Sequence, residues 1–446
     1  MTFRLLLMLL RIQELPRRAQ SLIQKLIIIA VIIQFSFFLS NTFYVLFVID
    51  TVGLGHLGIL IAVSFLIQAV LDYPSGVIGD WIGQKWILFI AYASYGLAYG
   101  VLFFADSFST LLIVYILQAF AASQQSGALQ AWFDNNYKVA ADEADPERKT
   151  YRFVIGRWGM FTNFTGAIAF VIGGLLATIY FRQIVFAIQA IAMFLLAIGL
   201  LFSIKDFPEV VRSERSIKNY FGLMGEGLRF VFLNKMVLLF VIGLCINAAI
   251  WTIWGNMILL PLYFGYTGSD GGASLLRFII WVIGVPIAAL AANLGSKLGI
   301  EWLPRLQFLH TLCFFSSFML LFTWFPIYIL EQPITGTFEP IAIILTIIIL
   351  TFTPLIFYTA NIIQQRIFFD LVPDQNRNSV YSLIPTLVLI INAPSALIGG
   401  QFLDIFGLTS TLFFLAFLGV LYPMFFYISI RLIPPKVLDQ TVEDGT

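Results

Sequence analysis

Residues 72–88 read DYPSGVIGDWIGQKWIL and lie between two long apolar runs. Within this stretch, Asp80 and Lys85 stand close to Gly76 and Gly83. Glycine lets two helices approach closely and allows a tight turn between them. A charged turn between two runs that can each cross a bilayer belongs at a membrane face. The stretch therefore predicts a charged hinge between two membrane-spanning helices.

The composition also indicates a membrane protein. Of 446 residues, 60% are hydrophobic and 11% are charged, whereas a soluble globular domain carries roughly 25% charged residues. The net charge of +1 and the lack of a basic tract predict no nucleic-acid partner. Cys245 and Cys313 lie in apolar runs and are interpreted as small core residues. No secretory signal is predicted, because the apolar stretch 5–10 is short and arginines follow it.

The apolar runs predict an all-α membrane protein with twelve transmembrane helices. A bilayer core of about 30 Å needs about 20 apolar residues in a helix, and the runs are too long for barrel strands. The predicted spans are residues 25–49, 56–75, 86–104, 109–133, 153–178, 183–204, 236–263, 272–295, 303–325, 340–364, 379–402 and 408–431.

Lys and Arg residues predict the orientation of these spans. If both termini are cytoplasmic, only Arg182 of the 25 Lys and Arg residues lies outside, and Arg277 lies within the eighth span. Cytoplasmic loops carry an excess of Lys and Arg. One missed or extra helix would reverse every later loop, so the bias favours an even number of spans.

The chain is predicted to divide into an N-terminal six-helix bundle, residues 1–204, and a C-terminal six-helix bundle, residues 236–446. Residues 205–235 between them predict a cytoplasmic linker with an interfacial helix. The two halves also share features. The fourth and tenth spans end in Asp134 and Asp370, and the fifth and eleventh carry the glycine pairs 173–174 and 399–400.

The stretch 72–88 resembles the signature loop between helices 2 and 3 of the major facilitator superfamily. Residues 72–76 resemble the lead-in to that loop found in many bacterial members. The resemblance covers the whole chain in topology but only residues 72–88 as a specific motif. It implies two six-helix bundles that hold a solute between them and expose it alternately to the two sides.

The resemblance also implies an inner gate. Asp80 would sit at the positive N-terminal end of span 11, near residues 378–381, and Asp80→Asn should reduce transport strongly while leaving protein in the membrane. The other predicted members of this gating motif are Asp72, Gly76, Gly83, Lys85, Asp134 and Arg157. The alternative for the charged members is a solvated surface charge, which contributes about 0–1 kcal/mol.

Polar and aromatic residues recur at helical spacing in spans 1, 4, 7 and 10, the helices that line the central cavity in the family. Residues seven apart share a helix face, and polar groups in lipid tend to face the protein interior. The alternative is hydrogen bonding between helices, about 0.6 kcal/mol on average. The predicted cavity residues in these spans are Gln34, Asn41, Gln118, Gln125, Asn247, Trp251, Trp254, Tyr358 and Asn361.

Arg277 is a strong charge inside a span, a turn or two from its predicted external end. It is predicted either to bind an anionic group of the substrate or to extend outward to water. Comparing uptake of anionic and neutral solutes in Arg277→Gln would separate the two readings.

No enzyme constellation is visible, so no catalytic residue, cofactor or metal site is predicted. His310 is interpreted as a polar packing residue, with a proton site as the alternative. A coupling proton is a possible partner, but spans 1 and 4 lack the acidic residue and the Arg that proton-coupled members carry. Asp72 is then the best remaining candidate.

The sequence thus predicts a secondary transporter, monomeric and multi-pass, in a bacterial inner membrane. Amides with Trp and Tyr suit a neutral or amphipathic organic solute, and export of a hydrophobic or amphipathic compound is the first interpretation. Uptake of a nutrient or metabolite is the alternative within this class. A membrane scaffold or receptor that kept the fold but does not transport is the alternative of another class.

Overall fold

The computed structural model describes residues 12–141, 144–210, 217–327, 334–372 and 374–432. These residues are mainly helical and contain no strand, which confirms the all-α prediction. Ten helices of this described part are long and apolar enough to cross a membrane. The count of twelve spans and the cytoplasmic termini stay predictions. One reason for the lower count is that a single helix covers the two predicted spans 379–402 and 408–431, with non-helical backbone at Gly407.

The chain divides into two compact units. The first unit contains the described residues up to Tyr44 together with residues 70–217. Its helices are α1 (Arg17–Phe38), the last part of α2 (Tyr44–Ile82), α3 (Gln84–Phe103), α4 (Phe108–Gln125), α5 (Ala128–Ala141), α6 (Lys149–Ile179) and α7 (Arg182–Ser203). In this unit α3 packs against α4 and α7, and α1 packs against α6.

The second unit contains residues 45–69 of α2 and the described residues from 218 onward. Its other helices are α8 (Ile217–Leu233), α9 (Lys235–Ile253), a π-helical turn (Trp254–Ile258), α10 (Leu259–Thr267), α11 (Asp270–Lys297), α12 (Trp302–Trp324), α13 (Pro340–Leu371) and α14 (Asp374–Arg431). Here α9 packs against α14, α11 against α13, and α12 against both α13 and α14. The helix predicted within residues 205–235 corresponds to α8, while the predicted domain boundaries stay a prediction.

The first predicted span, residues 25–49, is not one helix. α1 ends at Phe38, and α2 begins at Tyr44, whose backbone N–H donates to the Ser40 carbonyl at 2.8 Å. Ser, Asn and Thr at residues 40–42 offer side-chain hydrogen bonds that compete with helical ones, which favours a turn. Asn41 lies in this turn. The prediction that Gln34 and Asn41 share a helix face is therefore wrong.

Within the second unit, α2 and α14 meet backbone to backbone at two glycines. A Cβ added at Gly58 would lie 2.7 Å from the Ala396 carbonyl oxygen, and one added at Gly400 would lie 2.8 Å from the Gly58 Cα. Small residues at helix contacts allow this close approach inside membranes. The Gln401 amide adds a hydrogen bond of 3.3 Å to the Gly55 carbonyl. The glycine pair 399–400 therefore has a packing role.

Large apolar side chains are exposed along the long helices of both units. Examples are Ile191 and Leu195 on α7, Phe352 on α13, and Phe413 and Phe417 on α14. Such surfaces are unfavourable in water and favourable in lipid. Together with the apolar helices, they make the chain a multi-pass membrane protein.

Candidate functional site

The first unit encloses a cavity of about 190 Å³. It lies where α1, α3 and α6 meet the junction between α4 and α5. The lining residues are mainly amides, aromatics and small or aliphatic side chains, with no Asp, Glu, Lys or Arg among them. They are Ala30, Ile33, Gln34, Tyr92, Gln125, Gly127, Leu129, Gln130, Trp158 and Thr162.

A break in the fourth predicted span forms one wall of this cavity. α4 ends at Gln125 and α5 begins at Ala128, with Gly127 between them at φ 67°. Only glycine adopts this left-handed conformation without cost, so Gly127 permits the chain to turn and start a new helix. Irregular backbone at membrane depth is tolerated where it is buried in protein or lines a cavity.

Tyr92 on α3 also lines the cavity. Its side chain is fully buried, and its hydroxyl has no hydrogen-bond partner among the described residues. Tyr99, two turns along the same helix, is nearly as buried but is not among the residues that line the cavity. Tyr44 donates to Gln118 at 3.0 Å. Gln118 is thus engaged between helices, whereas Gln34 and Gln125 both line the first-unit cavity. Their role in a substrate cavity stays a prediction.

The second unit has a smaller, mostly aromatic cavity of about 10 Å³. Asn247, Trp251 and Trp254 line it together, so the spacing predicted from sequence does place them side by side. Other lining residues are Ile250, His310, Thr311, Phe314, Phe315 and Tyr422. The Trp251 N–H donates to Asn247 Oδ1 at 3.1 Å, and its ring stacks on His310 at 6.0 Å. His310 therefore packs among aromatic rings.

The remaining predicted cavity residues of the second unit lie outside this aromatic group. Asn361 on α13 accepts a hydrogen bond of 3.4 Å from the Gln307 amide, which fits the alternative of bonding between helices. Tyr358 is exposed on the same helix. The Arg277 guanidinium lies 5.9 Å from the Trp281 ring centroid.

The hinge quoted at the outset is the end of α2. Gly83 ends that helix at φ 93°, and its N–H donates to the Gly79 carbonyl at 2.9 Å. The Ser75 hydroxyl lies 2.6 Å from both the Asp72 and Ser123 carbonyl oxygens and so ties this end of α2 to α4. Lys85 lies 5.3 Å from the Trp86 ring. The side chain of Asp80 and residue Gly76 fall outside the described side chains, as do residues 378–381.

Asp134 is an anchor within the first unit. It pairs with Lys138 at 2.9 Å and with Arg148. Burial alone would raise the pKa of Asp134, but hydrogen bonds from Arg148 and Lys138 outweigh it and lower that pKa. Arg157 instead lies 5.1 Å from the Phe153 ring. Pairing of Asp134 and Arg157 across the predicted gate stays a prediction.

Asp145 joins α5 to the start of α6. Its carboxylate accepts the Tyr137 hydroxyl at 2.8 Å and the backbone N–H groups of Thr150 and Tyr151 at 3.2 and 2.9 Å. Burial opposes ionisation, but these donors prevail and lower the pKa of Asp145. Both α5 and α6 contribute to the first-unit cavity, so Asp145 helps to hold its walls.

The family profile of the Major Facilitator Superfamily matches residues 26–366. The chain belongs to this superfamily. This confirms the resemblance seen in residues 72–88. No curated protein matches the sequence.

Several solved structures share the superfamily fold with this chain. The nucleoside transporter NupG has a TM-score of 0.72 at 14% identity and covers 92% of this chain and 100% of its own. The POT family transporter PepTSo has a TM-score of 0.70 at 11% identity, with coverages of 92% and 98%. A bacterial homologue of the human lysosomal transporter Spinster has a TM-score of 0.66 at 13% identity, with coverages of 95% and 98%. At these identities the likeness shows the fold.

Sequence reasoning missed part of the first-unit cavity of this superfamily member. Four of its lining residues were not predicted from the sequence: Tyr92, Gln130, Trp158 and Thr162. The dipeptide Ser126-Gly127 inside a predicted span was the available signal, because glycine next to a small polar residue marks a helix interruption. Among the described residues, no group of three or more His, Cys, Asp or Glu could hold a metal ion.

Proposed function

We propose that this superfamily member transports a neutral, amphipathic organic solute by alternating access, and that the physiological direction is export. The observation that carries this proposal is the chemistry of the first-unit cavity. Amides, aromatic rings and hydroxyls line it, and the described residues place no Asp, Glu, Lys or Arg in its lining.

An uncharged lining selects against ions. An ion that leaves water must be paired or solvated by the site, and an unpaired charge in an apolar cavity is strongly unfavourable. Apolar walls with a few placed polar groups are typical of sites for small organic molecules. This supports a neutral solute over an anion, including any anion that Arg277 would attract.

The solute class supports the direction. A neutral amphipathic compound crosses lipid without a carrier, so a carrier adds little to its entry. Export lowers the internal concentration of such a compound, because it opposes continuous inward leakage. Uptake remains the alternative for a solute with more hydroxyl or amide groups, which enters slowly on its own.

Flux in proteoliposomes tests the transport proposal. Purified protein would be reconstituted and assayed for counterflow of N-acetylphenylalaninamide and N-acetyltryptophanamide, with the corresponding N-acetyl amino acids as anionic counterparts. We expect the two neutral amides to move faster than in protein-free liposomes and the two anions to remain at that baseline. Preference for the anions would refute the neutral-solute proposal, and baseline flux of all four would favour a non-transporting scaffold.

Membrane vesicles of opposite orientation test the direction. Vesicles from cells that express the chain would be prepared inside-out and right-side-out, with vesicles from non-expressing cells as the control. Export predicts accumulation of the neutral amides in energised inside-out vesicles only. Accumulation confined to right-side-out vesicles would instead establish uptake.

A further inference from the structure

We infer that the first-unit cavity is a binding subsite for an uncharged amide-type group, a carbonyl next to an N–H. The subsite is formed by the α4–α5 break together with Tyr92, Gln34 and Gln125. This inference rests on the proposed function and specifies the chemical group that the transported solute presents.

The helix break supplies backbone hydrogen-bonding groups at the wall of the first-unit cavity. The first turn of α5 has N–H groups without an intrahelical partner, as at every helix start. Gly127, Leu129 and Gln130 at this start line the cavity. In transporters, interrupted helices with such free ends form solute sites. A helix start alone does not define a site, so a second observation is needed.

The second observation is the Tyr92 hydroxyl. Tyr92 lines the cavity, and its buried hydroxyl has no partner among the described residues. Buried polar groups without a partner are rare, because each forfeits the hydrogen bonds it would make in water. A solute carbonyl in the cavity would accept a hydrogen bond from this hydroxyl and remove that deficit.

The carboxamides of Gln34 and Gln125 indicate which other hydrogen-bonding groups the solute presents. Each Gln side chain presents a carbonyl acceptor beside an NH₂ donor, the complement of an amide edge. Gln34 and Gln125 approach the cavity from α1 and α4, and Trp158 offers a flat apolar surface on α6. The volume of about 190 Å³ is below the roughly 300 Å³ of a small drug-sized pocket. The cavity therefore holds one ring-sized part of a solute.

Binding of benzamide to the purified full-length protein tests this inference. Benzamide carries the amide edge, acetophenone keeps only the carbonyl, and benzoate carries a charge on the same ring. We expect thermal stabilisation in the order benzamide, acetophenone, benzoate, with the last at the level of buffer. No stabilisation by benzamide, or equal stabilisation by benzoate, would overturn the inference.

Tyr92→Phe removes only the hydroxyl, and Tyr99→Phe is its matched control on the same helix. Tyr92→Phe should raise the Kd for benzamide about tenfold, since one hydrogen bond of ~1.4 kcal/mol corresponds to that factor. Its melting temperature should stay the same or rise, because the lost hydroxyl had no partner. Tyr99 does not line the cavity, so Tyr99→Phe should leave the Kd unchanged. Unchanged benzamide affinity in Tyr92→Phe would refute the subsite.

The flux assay separates this inference from the proposed function. If neutral amides are transported but benzamide does not bind, the transport proposal stands and the subsite is wrong. If benzamide binds through Tyr92 but no neutral solute moves, the subsite stands and the transport proposal is wrong.

The single variant Gln125→Leu provides an independent test of the subsite. It removes an amide partner, leaves Tyr92 unchanged and should also weaken benzamide binding.

Discussion

The first-unit cavity and the aromatic cavity of the second unit differ in detail. The first-unit cavity has a volume of about 190 Å³ and is lined by Tyr92, whose buried hydroxyl has no partner among the described residues. The aromatic cavity of the second unit has about 10 Å³, which is room for one water molecule at most. Its Trp251 N–H is already bonded to Asn247. Space with unsatisfied polar groups favours ligand binding, whereas filled space with satisfied groups favours packing.

The walls of the two cavities are also held differently. Aromatic rings hold the second: Trp254 contacts Phe314 and Phe318 with centroids 4.8 and 4.7 Å apart. The first depends on a helix break at Gly127 and on the carboxylate of Asp145 next to it in the chain. We therefore expect the first unit to carry specificity for the solute and the second to carry stability.

The largest expected effect comes from deleting a tryptophan in each cavity. Trp254→Ala removes a fully buried ring and should lower the free energy of unfolding by about 3–5 kcal/mol, because the surroundings cannot fill the space. Trp158→Ala removes a partly buried ring at an existing cavity and should cost less stability but weaken benzamide binding. Denaturant unfolding and ligand titration of both variants measure this. Equal stability losses would contradict the division of roles.

Replacing Asp145, which joins α5 to the start of α6, is expected to destabilise the first unit. Asp145→Asn replaces an ionised acceptor of three hydrogen bonds by a neutral amide with one acceptor oxygen. It should cost about 1–2 kcal/mol, because hydrogen bonds to charged groups contribute more than those to neutral ones. Unfolding free energy would be compared with that of Glu147→Gln, a neighbour in the same loop whose ion pair with Lys149 is exposed. Glu147→Gln should have little effect.

The direction of the pH effect follows from the lowered pKa values of Asp134 and Asp145. A carboxyl whose pKa is lower in the folded state stabilises the protein while it is ionised. This contribution is complete above the ordinary Asp pKa of about 3.9 and is lost as the pH falls through the lower folded value. Asp145→Asn should therefore flatten the loss of stability below about pH 4. An unchanged acid limb would show that Asp145 does not contribute to it.

Much of this architecture could be predicted from the sequence, and the failures have physical causes. The long apolar runs and the charged hinge predicted an all-helical membrane protein and its superfamily. Gln34 and Gln125 line one cavity in the structure, and their role in a substrate cavity stays a prediction. Helical spacing failed for Asn41, because it assumes an unbroken helix and the chain turns there.

The rest of the candidate site depends on tertiary contacts that spacing does not contain. Gln118 has the same side chain as Gln125, but its side-chain oxygen accepts a hydrogen bond from the Tyr44 hydroxyl. Tyr92 and Tyr99 look equivalent in sequence, but in the fold only Tyr92 of the two lines the first-unit cavity. Asp134 was predicted at a gate, while the structure pairs it with Lys138 and Arg148 nearby in the chain.

A pair of glycine substitutions tests whether the helix break matters. Gly127→Ala forces a side chain into a left-handed conformation, at a cost of about 1–2 kcal/mol, and should reduce solute flux by shifting the start of α5. Gly255 lies in the π-helical turn of the second unit and has open space around it, as Gly127 does. Gly255→Ala should leave flux and stability close to wild type. Similar flux losses in both variants would mean that helix irregularity matters equally in the two units.

The smallest effect is expected at Asn247, which tests whether the aromatic cavity serves packing alone. Asn247→Leu leaves the Trp251 N–H unpaired and should cost about 0.6 kcal/mol, the average for hydrogen bonds between polar groups in membrane proteins. In a double-mutant cycle with Trp251→Phe, most of that loss should disappear, because the donor is gone. Benzamide binding should be unchanged in all three variants.

Asn247 was predicted from sequence as a cavity residue, so a weakened benzamide affinity in Asn247→Leu would show that the second unit also binds the solute. The small volume at Trp251 would then have to open on binding.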